Sequence, residues 1–76
     1  MVIGVTMITV IPGEERAVYN ELTKIAGVRE VFHVFGEYDF IAIIDVGSLS
    51  EINTTVDTIR ENEMVTSTKT IIGAEL

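Results

Sequence analysis

The chain contains no cysteine and a single histidine, His33. No disulfide can staple it, and no Cys/His set exists to hold a structural metal; one histidine alone cannot complete a zinc site. Basic residues are scarce. Twelve Asp and Glu oppose five Lys and Arg, a net charge of −7, and Arg16, Lys24, Arg29, Arg60 and Lys69 are scattered along the chain. Nucleic-acid binding draws on phosphate neutralisation by a basic patch, so direct contact with DNA or RNA is not expected. No phosphate-cradling glycine loop and no nucleophile-elbow serine occurs, so neither a cofactor nor an enzymatic activity is expected. Residues 1–11 are apolar, but they lack a basic leader, Thr6 and Thr9 interrupt them, and Pro12-Gly13 ends them far short of a membrane span. The expectation is a cytoplasmic protein without membrane attachment.

What is present is a small apolar domain. The 76 residues start directly in one predicted strand and stop just after another, so a single domain over residues 1–76 with no second module is expected. A chain this short buries only about 60% of its extended surface, and ordering costs about 1.5 kcal/mol per residue. The hydrophobic content is nonetheless 47% and the mean hydropathy +0.42. Without disulfide or metal, association with further copies is the remaining way to cover that surface.

Residues 2–11, rich in Val, Ile and Thr and bounded by Pro-Gly, read as a strand. Residues 14–26 read as a helix: Val18, Leu22 and Ile25 recur at helical spacing, Glu14 and Glu15 suit its positive end, and Gly27 stops it. Residues 29–35 form a second strand, alternating Val31, His33 and Phe35 against Phe32 and Val34. Residues 40–46 form a third, almost continuously apolar. Ser48 and Glu51 make a capping box for a second helix, with Leu49, Ile52, Val56 and Ile59 as its buried stripe. Residues 65–72 form the last strand, ending at Gly73. The sequon Asn53-Thr54-Thr55 carries no meaning without a secretory signal.

The order βαββαβ, with right-handed crossovers, predicts an α+β ferredoxin-like plait: a four-stranded antiparallel sheet with both helices on one face. Its central strands are the first and third, here the two most apolar. The strands are apolar on both sides, however: Val2, Thr6, Ile8 and Val10 oppose Ile3, Val5, Met7 and Ile11. The side without helices would be an unusually large exposed patch. Two-fold homodimerisation, sheet against sheet, is the simplest closure. Gly4, within a strand, then marks a close approach or a bulge.

Between the second and third strands lies Gly36-Glu37-Tyr38-Asp39, a tight turn that sets a carboxylate, a phenol and backbone amides beside a buried sheet. With this GEYDF segment and the closing Met64-Val65-x-x-Thr68-x-Thr70, the chain resembles the RAM domain, the effector-binding half of the Lrp/AsnC (feast/famine) transcription regulators. The resemblance spans essentially the whole chain, and, carrying no helix-turn-helix domain, the chain resembles the stand-alone RAM proteins. It departs at Glu61-Asn62-Glu63, where many relatives carry a leucine-proline-glycine step. The resemblance implies dimerisation through the sheet, assembly into an octamer or decamer, and a free amino acid or related metabolite bound between dimers near the turn. Full-length Lrp/AsnC regulators are then possible partners.

On that reading the ligand-binding residues are Gly36, Glu37, Tyr38, Asp39, Thr68 and Thr70. Asp39 would accept from a ligand ammonium, while turn amides and the two hydroxyls would donate to its carboxylate. Thr68 and Thr70, two apart on a strand, share a face. A bland account stands beside each: Asp39 folded onto backbone amides, Gly36 needed for positive φ, Tyr38 packed at an interface, the threonines as ordinary strand formers, and His33 a packed interface or core histidine. Alternative readings are a purely structural oligomerisation module and a cofactor-free enzyme using His33 and Asp39 in one cavity. An ACT domain shares the fold, but Ile11-Pro12-Gly13 matches its glycine signature weakly.

Overall fold

The structure is a computed structural model, and residues 1–73 are described. The elements run β1 (Val2–Val10), α1 (Glu15–Leu22), β2 (Val28–His33), β3 (Phe40–Val46), α2 (Leu49–Arg60) and β4 (Val65–Ile72). They form a four-stranded sheet in the order β2-β3-β1-β4, every pairing antiparallel. The two apolar strands lie in the middle, as their composition predicts, because central strands contact neighbours on both edges as well as the core. Among the described residues no helix is long and apolar enough to cross a membrane.

On β1 burial alternates: Gly4, Thr6, Ile8 and Val10 are buried, and Phe40, Ala42 and Ile44 follow on β3. These side chains meet Val18 and Leu22 of α1 and Ile52 and Ile59 of α2 in one core. Gly4 is a close approach rather than a bulge: a Cβ there would sit 3.0 Å from Cδ1 of Ile52, so its absence lets α2 settle on the sheet. The bulges lie elsewhere, at Thr9/Val10 and at Val28/Glu30.

Three local details differ from the sequence expectation. First, α1 ends at Leu22 and not at Ala26. Lys24 N–H turns back to the carbonyl of Glu21 (3.1 Å) and Ile25 N–H to that of Leu22 (3.2 Å), a tightened turn that swings half-buried Ile25 toward the core before Gly27 at φ +95°. Second, Ser48 caps α2 by accepting from Glu51 N–H at 3.3 Å, but the Glu51 carboxylate reaches past the cap to Gly47 N–H at 3.2 Å. Third, Leu49 is exposed, and Thr55 joins Ile52 and Ile59 as the buried stripe. Its hydroxyl donates to the Glu51 carbonyl at 2.8 Å, which makes a buried polar residue tolerable there.

Among the described residues the opposite face of the sheet carries no helix. Registered neighbours share a face, which groups Ile3, Val5 and Met7 with Ile41 and Ile43 across β3, and Val5 with Ile71 across β4. Phe32, opposite Ile41, is 50% exposed and Ile71 55%. The apolar second face read from the sequence is therefore contiguous in space.

Candidate functional site

The connection between β2 and β3 spans residues 34–39, longer than a tight four-residue turn. Strand β2 stops at His33, earlier than residue 35, because the chain leaves the sheet at the His33–Phe40 pair. Val34 N–H closes the hairpin on the Asp39 carbonyl at 2.9 Å, and Phe35 projects from it, 95% exposed. Gly36 adopts φ +127°, a region costly for any side chain. Glu37 is exposed and Tyr38 half-buried.

Asp39 does more than shape the hairpin. Its N–H donates to the Ile8 carbonyl at 2.9 Å, the last bond of the β1–β3 ladder, whose final residue pair is Ile8 with Phe40. The next donor along β1 is Val10 N–H, which a continuing β3 would have satisfied. Instead it donates to Oδ2 of Asp39 at 2.8 Å. The carboxylate thus finishes the sheet where the backbone turns away, a charge-assisted bond to a nearly buried residue. The bland account expected Asp39 to fold onto amides of its own turn; the amide its carboxylate meets is instead that of Val10 on the neighbouring strand.

The six residues read as a binding set fall into two groups within one chain. Gly36, Glu37, Tyr38 and Asp39 are together in the hairpin. Thr68 and Thr70 lie on β4, opposite Ile8 and Thr6, with β1 between them and β3. Two strand spacings separate the rows, about 10 Å. Both threonines share the helix-covered face, and Thr70 Oγ1 is 3.0 Å from Thr6 Oγ1, so its hydroxyl already has a partner. The divergent loop before β4 is shaped by Asn62: its Oδ1 accepts from Met64 N–H at 2.9 Å and its carbonyl from Val65 N–H at 3.0 Å, an Asx turn in place of a proline step.

A concavity that the sequence reading did not single out adjoins the hairpin. An open groove of about 510 Å³ runs between α1 and the free edge of β2, its walls including Arg16, Tyr19, Val31, His33 and Phe40. The His33 ring stacks on Phe40, centroids 4.9 Å apart and planes 28° apart, and Tyr19 is 6.2 Å from Phe40. His33 is exposed within the single chain, so of the interface or core placement expected for it the core half does not hold, because β2 is an edge strand of the sheet. The one signal in the sequence was periodicity: Arg16 and Tyr19 are three apart on a helix, and Val31 and His33 share a strand face. Asp39 does not line this groove, so His33 and Asp39 do not face one cavity there, as an acid–base enzyme would need.

A four-stranded antiparallel plait with one open apolar face and a groove beside a structured hairpin defines a small α+β domain of the ferredoxin-like type. The chain belongs to the Lrp/AsnC ligand binding domain family, whose pattern it matches over residues 3–74. It is 36% identical over 53 residues to the HTH-type transcriptional regulator LysM of Sulfurisphaera tokodaii, a match covering 70% of this chain and 38% of that protein. The crystal structure of FFRP-DM1 superposes with a TM-score of 0.91 at 28% identity, over 97% of this chain and 100% of that one. A transcriptional regulator of Neisseria meningitidis, solved in complex with L-Met, shares the fold at 14% identity and TM-score 0.83, over 97% of this chain and 50% of its own.

Proposed function

We propose that the chain is a non-enzymatic amino-acid-sensing module that works as a homo-oligomer and modulates Lrp/AsnC-type transcription regulators. Membership of a ligand-binding domain family over residues 3–74 carries the reading. The open sheet face, with Val5, Met7, Ile41, Ile43 and Phe32 on one side, supports pairing of two copies, since a patch of that kind is costly in water. The hairpin 34–39 then offers a carboxylate and amides at the rim of each copy, and Thr68 and Thr70 belong to a site only where another copy brings them near a hairpin. The Neisseria relative's complex with L-Met supports a free amino acid as the ligand class. Ligand acts by binding one assembly state better than another.

The Asp39–Val10 bond favours a second reading, a structural oligomerisation module whose turn acid serves the fold alone. Denaturant midpoints measured with each of the twenty amino acids separate the two. A ligand at a hundred times its dissociation constant adds about 2.7 kcal/mol per site. One or two responders, with the response lost in Asp39→Asn, support sensing at the hairpin; twenty unshifted midpoints leave the structural module.

A further inference from the structure

We infer that the groove between α1 and β2 is an amino-acid site selective for a flat aromatic side chain, with Glu15 and Arg16 at its charged end and the His33–Phe40 stack against the ligand ring. The inference rests on the effector-binding reading above and names the ligand class and the residues that choose it, none of them in the hairpin.

The groove has the size of a small-molecule site: about 510 Å³, where such pockets span roughly 300–1,000 Å³. Its rim carries one charge of each sign side by side. Among the described residues Arg16 enters no ion pair, so its guanidinium is available to a carboxylate. Both carboxylate oxygens of Glu15 accept from Gly13 N–H, Oε1 at 2.6 Å and Oε2 at 3.3 Å, which pins the side chain; each oxygen keeps a further lone pair for an ammonium. A phosphate-bearing ligand would meet Arg16 and be repelled by Glu15; a zwitterion satisfies both. The rest of the lining is Tyr19, Val31, Phe32, His33 and Phe40, four of the five carrying a flat ring. His33 lies over the buried Phe40, so a ligand ring meets His33 with Phe40 behind it. Tyr19 is tilted against Phe40, and Phe35, with its centroid 5.5 Å from that of His33, lies outside the groove lining. Aromatic pairs in offset or edge-on geometry gain more than their buried area alone, a gain that aliphatic side chains lack.

The location also couples to sensing. The groove opens at the sheet edge beside α1; Phe32, one of its lining residues, also belongs to the open face, so pairing two copies there covers that residue and leaves the α1 wall accessible. His33 and Phe40 are the residues from which the 34–39 hairpin leaves the sheet, so an occupant resting on their stack bears directly on the hairpin's base.

The test is an NMR titration of the isotope-labelled full chain with individual L-amino acids, read at the ring signals of His33 and Tyr19 and at the amides of residues 36–39. Saturable ring shifts with phenylalanine, tyrosine or tryptophan, strongest among the twenty, are expected. Arg16→Gln, at an exposed position, should weaken that binding about tenfold to a hundredfold, the worth of one charge-assisted bond. His33→Leu keeps an apolar wall and should reduce the aromatic preference about two- to tenfold. A response strongest for an aliphatic or charged amino acid, or amide shifts at 36–39 without ring shifts, overturns the groove assignment and leaves the sensing reading standing. Ring shifts without any change in sedimentation keep the groove and remove the sensing. No shift with any amino acid removes both.

Discussion

Replacing Asp39 by alanine removes the carboxylate oxygen that accepts from Val10 N–H at 2.8 Å. Val10 is 6% exposed, so water reaches this donor poorly. A buried donor left without a partner costs about 1–3 kcal/mol, and since the bond is only part-buried, a loss of about 2 kcal/mol is expected. Against a total of about 0.05–0.15 kcal/mol per residue for a folded domain, that is a large share for one side chain. Asp39→Asn keeps an oxygen in the same place but loses the charge, and a neutral bond is about half as strong, so its loss should be about 1 kcal/mol. Equilibrium urea unfolding followed by circular dichroism measures both, at one fixed protomer concentration because association adds to apparent stability. The backbone amide of Val10 should also exchange with solvent faster in Asp39→Ala than in the parent. If Asp39→Ala unfolds within about 0.5 kcal/mol of the parent, the range of ordinary surface substitutions, the carboxylate does not complete the sheet and the reasoning fails. The size of the Asn effect matters for function, because it sets the baseline against which loss of a ligand response is read.

Gly27→Ala tests the junction of α1 and β2. Its Cβ would lie 2.7 Å from Thr55 Oγ1 and 2.9 Å from Val46 Cγ1 at φ +95°, so steric strain of about 1–2 kcal/mol adds to overpacking of about 1–3 kcal/mol. A thermal midpoint unchanged in Gly27→Ala would contradict this. By contrast, Gly36→Ala meets nothing within 4 Å, so it should lose only the strain of its positive φ, and a urea-unfolding loss as great as that of Gly27→Ala would show a contact at the hairpin that the fold does not explain. Val5→Lys places a charge in the middle of the open face, opposite Ile43 and Ile71, and should convert the proposed oligomer to smaller species in sedimentation velocity. Identical sedimentation of parent and variant would remove that face as an interface.

Much of this architecture is legible in local patterning. The βαββαβ order, the capped start of α2 at Ser48 and the bounds of β3 and β4 follow from period-2 and period-3.6 spacing and from Gly, Pro and Ser at their ends. The misses share a cause. The end of α1 at Leu22 and the replacement of Leu49 by Thr55 in the buried stripe were decided by how each helix sits on the sheet, which propensity does not report. Of the six residues read as a binding set, the four of the hairpin are neighbours because they are consecutive, whereas Thr68 and Thr70 lie across β1 from them within one chain.

The sequence by itself determined which strands are central and that both faces of the sheet are apolar, because those properties are sums over residues a few positions apart. Tertiary structure alone decided where Asp39 points. Its partner Val10 is far away along the chain, and the bond exists because the β1–β3 ladder ends at Ile8 and Phe40. It also decided that Tyr19, His33 and Phe40, from three separate elements, line one groove. Side-chain periodicity is a local property of the backbone, but which residues converge depends on strand register and helix docking, and those are set by packing of the whole chain at once.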